Sequence, residues 1–237
     1  MQANLQQNLK PIIMLNNLPI FISLIFGLTT LLTVWFFYKA AQKSNITLII
    51  LTIWLGIQTV VGLSGFYTVT DTLPPRFMLL VLPPLLGIII LFLTKSGRRY
   101  LDNIDIKTLT ILHIVRIPVE IILFWLFIYK AVPQLMTFEG HNFDILSGIS
   151  APIIYYFAFA KNKQNKTLLL IWNFICLILL ANIVLHAVLS SPSPFQKLAF
   201  DQPNIAIQYF PFVWLPSCVV PLVLLSHLAV IRRLLKK

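Results

Sequence analysis

Seven long, charge-poor apolar runs set the strongest constraint on what this chain can fold into: Leu18–Tyr38, Ile46–Val69, Phe77–Thr94, Thr108–Lys130, Ile145–Ala160, Thr167–Leu189 and Tyr209–Ile231. A helix needs about 20 apolar residues to cross a hydrocarbon core roughly 30 Å thick, and an unsatisfied backbone group in lipid costs several kcal/mol. The runs therefore predict an all-α, polytopic integral membrane protein, with residues 1–237 forming a single transmembrane domain built as a seven-transmembrane-helix bundle. The fifth run is the shortest; read as re-entrant, it would move everything after it to the other side. Composition agrees, because 58% of the 237 residues are hydrophobic and 11% charged, against roughly 45–50% and about 25% for a soluble domain. The segment Met1–Asn17 is polar with Lys10 as its only ionisable side chain, and the run after it lacks a small-x-small cleavage pattern. A retained first span is expected there, not a signal peptide.

The charges between the runs give an orientation. Lys39 and Lys43, then Lys95, Arg98, Arg99 and Lys107, then Lys161, Lys163 and Lys166, and finally Arg232, Arg233, Lys236 and Lys237 all fall on one side of a seven-span layout. The other side holds Lys10, Arg76, Lys130 and Lys197. The positive-inside rule then puts the N-terminus outside and the C-terminus in the cytoplasm. The expected location is a cell membrane, of the bacterial inner or plasma type. The net charge of +11 is absorbed by loops facing anionic lipid, so membrane lipids and not nucleic acid are the partners this charge implies. Aromatic residues near the run ends, among them Trp35, Tyr38, Tyr67, Tyr129, Trp172 and Tyr209, fit interfacial belts. Cys176 and Cys218 lie inside apolar runs, so neither a disulfide framework nor a cysteine metal site is legible. No cofactor motif is legible either, and nothing in the pattern speaks to oligomeric state. The seventh run has no lysine, which excludes a retinal protein that binds its chromophore there as a Schiff base.

The fourth run carries His113, Arg116 and Glu120. On a helix His113 and Glu120 lie about 20° apart and Arg116 about 60° to one side, so the three share a face. A charge at mid-membrane costs from about 2.5 to more than 10 kcal/mol, so such groups need a partner or a wet cavity. Two readings follow. Arg116 and Glu120, at i and i+4, form a neutral pair that staples helices, or the three residues form a ligand site or proton relay with Arg116 as anion anchor. The extra histidine favours the second. Pro118 removes a hydrogen bond to the carbonyl of Ile114 and predicts a kink beside Arg116.

The outer loop that follows reads FEGHNFD and brings Glu139, His141 and Asp144 together in sequence. These are hard-to-borderline ligands suited to Zn²⁺, Mn²⁺ or Ca²⁺, but a helix start capped by Asn142 or Asp144 explains them more simply. His186, one turn from Asn182 near the end of run six, and Asp201, in the long stretch SSPSPFQKLAFDQPNIAIQYFPF, complete an outer-mouth polar cluster. That stretch is long enough to act as a lid. His113 and His227 lie at similar distances from the cytoplasmic charges, so contact between runs four and seven could let them ligate one haem iron axially. Pro83, Pro84, Pro211, Pro216 and Pro221 predict interrupted helices, and Gly56, Gly62 and Gly65 in run two predict close helix packing.

The function expected from these features is binding or translocation of a small polar or amphiphilic molecule, or of protons, through a polar cavity on the fourth helix. Two alternatives compete with it. One is a membrane-embedded metal-dependent enzyme acting on a lipid-like substrate through the outer-mouth cluster; the other is a non-catalytic membrane assembly factor.

Overall fold

The computed structural model describes Leu15 and residues 18–159 and 164–236. Apart from Leu15, the polar N-terminal segment lies outside the described residues, as do Ala160, Lys161, Lys163 and Lys237. Among the described residues every regular element is a helix.

Helix α1 (Ile20–Ala40) keeps Thr29, Thr30 and Thr33 on its buried face. Each hydroxyl donates back to a carbonyl one turn earlier, so no polar group is left open in an apolar setting. Helix α2 (Asn45–Leu63) starts where Ser44 accepts from the Thr47 amide and stops before Gly65, whose φ of 71° ends the helical path. Run two was expected to continue to Val69; instead Phe66–Thr68 make a 3-10 turn. Helix α3 (Met78–Leu93) contains Pro83 and Pro84. At Thr94 the chain leaves helical geometry, with ψ 148°, and the Thr94 side chain caps helix α4 (Lys95–Asn103), which departs at 93°.

Run four breaks where Pro118 predicted it. Asp105 caps helix α5 (Ile106–Leu112) by accepting from the amides of Lys107 and Thr108; His113–Val115 form a 3-10 turn, and helix α6 (Arg116–Ile128) continues. Helices α7 (Ile145–Phe159) and α8 (Lys166–Ser190) follow. Run seven enters through a π turn at Leu215–Val219 and becomes helix α9 (Val220–Leu235). Its regular part starts later than Tyr209 because Pro211 and Pro216 withhold two amides.

Five of these segments are long and apolar enough to cross a membrane: Ile20–Ala40, Asn45–Leu63, Ile106–Ile128, Lys166–Ser190 and Leu215–Leu235. The bent pair α3 and α4 makes six if taken as one span. Helix α7, with 15 residues, is about 22 Å long at a 1.5 Å rise, short of a core roughly 30 Å thick. Large apolar side chains cover the outside, including Ile20, Leu24 and Leu28 on α1 and Ile46, Ile53 and Val60 on α2. In α2 only 17% of the apolar stretch is buried. Apolar faces of this extent suit a membrane-embedded protein and not one bathed in water.

The connections gather at two ends. At one, the Asp105 amide donates to the Ala40 carbonyl, Arg233 donates to the Ile104 carbonyl, Asp102 meets Lys236 and Arg232, and the Lys107 ammonium lies over the Phe159 ring. Three of the four basic segments picked out in the sequence converge there, joined by the last residues of α7. At the other end Gln202 donates to the carbonyls of Phe127 and Val132, while Asn204 and Asn182 tie their neighbours to Ser191 and His141. The stretch expected as a lid is thus fastened over the ends of α6 and α8. One apolar core, from Ile22 on α1 to Val230 on α9, connects the two ends. Of the glycines of α2, Gly62 alone makes the expected close approach: a Cβ there would meet Val213 at 3.1 Å, whereas Gly56 has open space beside it.

Candidate functional site

The break between α5 and α6 turns His113, Arg116 and Glu120 into the centre of the bundle, where all three are buried. Their partners come from other elements. The guanidinium Nε lies 2.8 Å from Oδ2 of Asp144, in the turn that precedes α7. Nη1 is 3.3 Å from Nε2 of His227 on α9. Arginine can only donate, so Nε2 of His227 accepts, and Nδ1 carries the hydrogen that it gives to Oδ1 of Asn173 on α8, 2.8 Å away. The Asn173 amide ends the chain by donating to the Leu169 carbonyl. This order of donors assigns His227 as a neutral imidazole.

Glu120 is not the partner of Arg116. The i,i+4 pairing anticipated on one helix is replaced by the Arg116–Asp144 pair across two elements, and Glu120 instead accepts from the side-chain amide of Asn142. The reason lies in the loop. The Asn142 side chain accepts from the Asp144 amide and donates to the Met136 carbonyl, a local turn that swings Asp144 inward beneath α6. Asn142 thus turns the chain through the Asp144 amide ahead of α7, and that turn delivers the carboxylate that Arg116 requires.

His113 is wholly buried, and neither ring nitrogen has a hydrogen-bond partner among the described residues. Its ring stacks on that of His227 with centroids 3.9 Å apart and 16° between planes, and Trp172 meets both rings edge-on. Runs four and seven do touch through these two rings, but their arrangement does not fit axial ligation of one haem iron. Two imidazoles stacked face to face leave no room for a macrocycle between their nitrogens.

The outer-mouth cluster separates. Asp144 belongs to the buried site, Glu139, His141 and Asp201 are exposed, and His186 is half-buried with Nδ1 against the Asn182 carbonyl. The rings of His141 and His186 approach edge to face at 5.7 Å. Among the described residues no three His, Cys, Asp or Glu side chains converge as metal ligands. Cys176 and Cys218 are free and buried.

A cavity of about 290 Å³ lies beside the cluster, between α3, α6, α8 and the π turn. Phe77, Val81, Leu123, Leu180 and Leu215 are among its apolar walls, and the charged side chains that line it are Glu120 and Asp144. Arg116 does not line it. A larger cleft of about 850 Å³ between α2, α3 and α9 has no charged side chain in its lining.

Sequence reasoning did not find Asn173 or Gly148. A polar residue in the middle of run six was the available signal for Asn173. Gly148 on α7 faces α6 so closely that an added Cβ would lie 2.8 Å from Cγ1 and 3.0 Å from the amide nitrogen of Ile117, and 3.3 Å from Cβ of Arg116.

Fold and site together define a helical, membrane-type bundle that holds a buried ion pair and a second, amide-bonded carboxylate at one apolar cavity. Residues 73–235 match the family described as "Domain of unknown function (DUF8737)", and the chain belongs to that family. The match contains every residue of the buried cluster. No curated protein and no solved structure matches the chain.

Proposed function

We propose that this chain is a single transmembrane domain that crosses a cell membrane seven times, with its N-terminus outside and its C-terminus cytoplasmic, and that it binds or translocates a small amphiphilic molecule or protons. The bacterial inner membrane and the plasma membrane both suit this layout, with lipids as its immediate partners. Helices α3 and α7 are short passes, and α4, turned 93° from α3 with Lys95, Arg98 and Arg99 on it, lies along the cytoplasmic interface. Glu120 carries the ligand or the proton, with His113 and Arg116 buried behind it, while Glu139, His141, His186 and Asp201 line the outer approach.

The observation that carries this reading is the cavity. It is apolar except for Glu120 and Asp144, and the one arginine nearby is engaged by Asp144. Among the described residues Glu120 is therefore a carboxylate with no ion-pair partner, at the wall of a space that can hold a ligand. A structural staple has no use for it, because Arg116 is already neutralised. The anion-anchor role for Arg116 is not favoured by this geometry, since its charge is spent on Asp144 and it does not face the cavity.

The test is proton flux into vesicles reconstituted with purified protein. Glu120→Gln keeps the shape and the hydrogen bond to Asn142 but cannot hold a proton. Flux that is present in the wild type and lost in a folded Glu120→Gln protein supports the reading. Flux unchanged by the substitution removes Glu120 from the pathway, and a substitution that alters stability alone favours the assembly-factor alternative.

A further inference from the structure

We infer that the cavity beside Glu120 and Asp144 takes a hydrophobic cation, an apolar body bearing one amine or quaternary ammonium group. This rests on the proposed ligand-binding role of the cavity and names the class of ligand. Four observations point to the sign of the charge. Two carboxylates line the space, and only one cation, Arg116, stands behind them. Glu120 has an amide, Asn142, as its hydrogen-bond partner. Asp144, its side chain 7% exposed, already holds Arg116 through Oδ2 and so leaves Arg116 no charge to spare for Glu120. The remaining walls, from α3, α6, α8 and the π turn, are apolar.

Each ligand class meets this surface differently. An anion would be brought against two carboxylates in a medium of low dielectric, where like charges repel strongly. A neutral apolar molecule would fill the walls and leave the Glu120 carboxylate without a counter-charge. A cation with an apolar body satisfies both the walls and the carboxylates. The volume of about 290 Å³ is close to the lower end of ligand pockets, roughly 300–1,000 Å³, which limits the ligand to a compact molecule. The π turn at Leu215–Val219 forms part of the wall, and such turns recur at functional sites.

The experiment uses the full chain in detergent and three probes of one shape: benzyltrimethylammonium, its neutral carbon isostere neopentylbenzene, and benzylphosphonate. Binding to the folded protein raises the unfolding temperature by mass action. The expected result is a concentration-dependent rise with benzyltrimethylammonium that is at least tenfold more potent than with neopentylbenzene, none with benzylphosphonate, and loss of the rise in Glu120→Gln. Equal potency of the ammonium and its carbon isostere, or preference for the phosphonate, overturns the inference, and so does an ammonium effect unchanged in Glu120→Gln. The three-probe comparison on the wild type decides the matter even where the variant does not fold. If no probe binds while Glu120-dependent proton flux persists, the ligand class is wrong and the broader reading of the cavity stands. If flux is also independent of Glu120, both fall.

Discussion

Arg116 is the residue whose burial most needs explaining, and its partner decides what its removal does. With Asp144 at 2.8 Å and His227 accepting at 3.3 Å, Arg116→Ala strands a buried carboxylate and an imidazole acceptor. Removing one member of a buried pair costs about 3–5 kcal/mol, whereas exchanging both for apolar groups of similar volume is often neutral. Arg116→Ala should therefore lower the unfolding midpoint sharply, and Arg116→Met combined with Asp144→Leu should recover most of the loss. A double variant as unstable as the single one would show that the His227 and Asn173 chain, not the ion pair, holds the site. At this scale the sequence disclosed which residues are unusual, because a charge in an apolar run is visible at once. It did not disclose who pairs with whom. Helical spacing proposed Glu120, but the turn built by Asn142 carries Asp144 across to Arg116, and no period on one helix contains that loop. Asn173 stayed unremarked because a lone asparagine in run six looks like any tolerated polar residue until His227 is placed against it.

Among the elements, α7 is the one whose position the site depends on most. Its Gly148 lets α7 approach α6 so closely that a methyl group would press on Ile117 and reach Cβ of Arg116. Overpacking at such a contact costs about 1–3 kcal/mol. Gly148→Ala should lower stability by about that much and weaken binding of a cavity ligand as well, because the displaced α7 carries Asp144 at its start; a thermal-unfolding series with and without benzyltrimethylammonium separates the two effects. Breaks beside Pro118 and at Pro211 and Pro216 were legible in the missing amides, whereas the interruption expected at Pro83 and Pro84 does not occur, because α3 runs through both as one helix. Less legible were the true lengths. The second run stops at Leu63, short of the expected Val69, because Gly65 leaves the helical path with φ 71°, a backbone choice that hydropathy does not register.

For the whole molecule, the basic end is held by contacts between segments far apart in sequence. Asp102 meets Lys236 and Arg232, and these cations, the Lys236 hydrogen bond foremost, hold its carboxyl below the usual aspartate value. A depressed carboxylate contributes stability above its unfolded value, and that contribution is lost as pH falls through the folded one. Docking of the end of α9 should thus be intact at neutral pH and loosen below about pH 4. Asp102→Asn should loosen it at every pH; amide exchange at the end of α9 reads both, and exchange insensitive to pH and to the substitution would contradict the contact. The effect is small because the pair is partly exposed. Topology is tested with an impermeant maleimide, which Cys176 and Cys218 do not complicate because both are buried. In whole cells Lys197→Cys should react and Lys236→Cys should not, and the reverse pattern would invert the orientation.

These scales meet in one claim, that Glu120 stands at a cavity through which it exchanges protons or a cation and is not sealed into a staple. Infrared difference spectra of the purified protein, recorded as the pH is stepped from acid to alkaline, test it most directly. The account predicts a protonated-carboxyl stretching band that changes reversibly with pH and is absent from the difference spectrum of Glu120→Gln. A spectrum with no such band, or one that the substitution leaves unchanged, would contradict it.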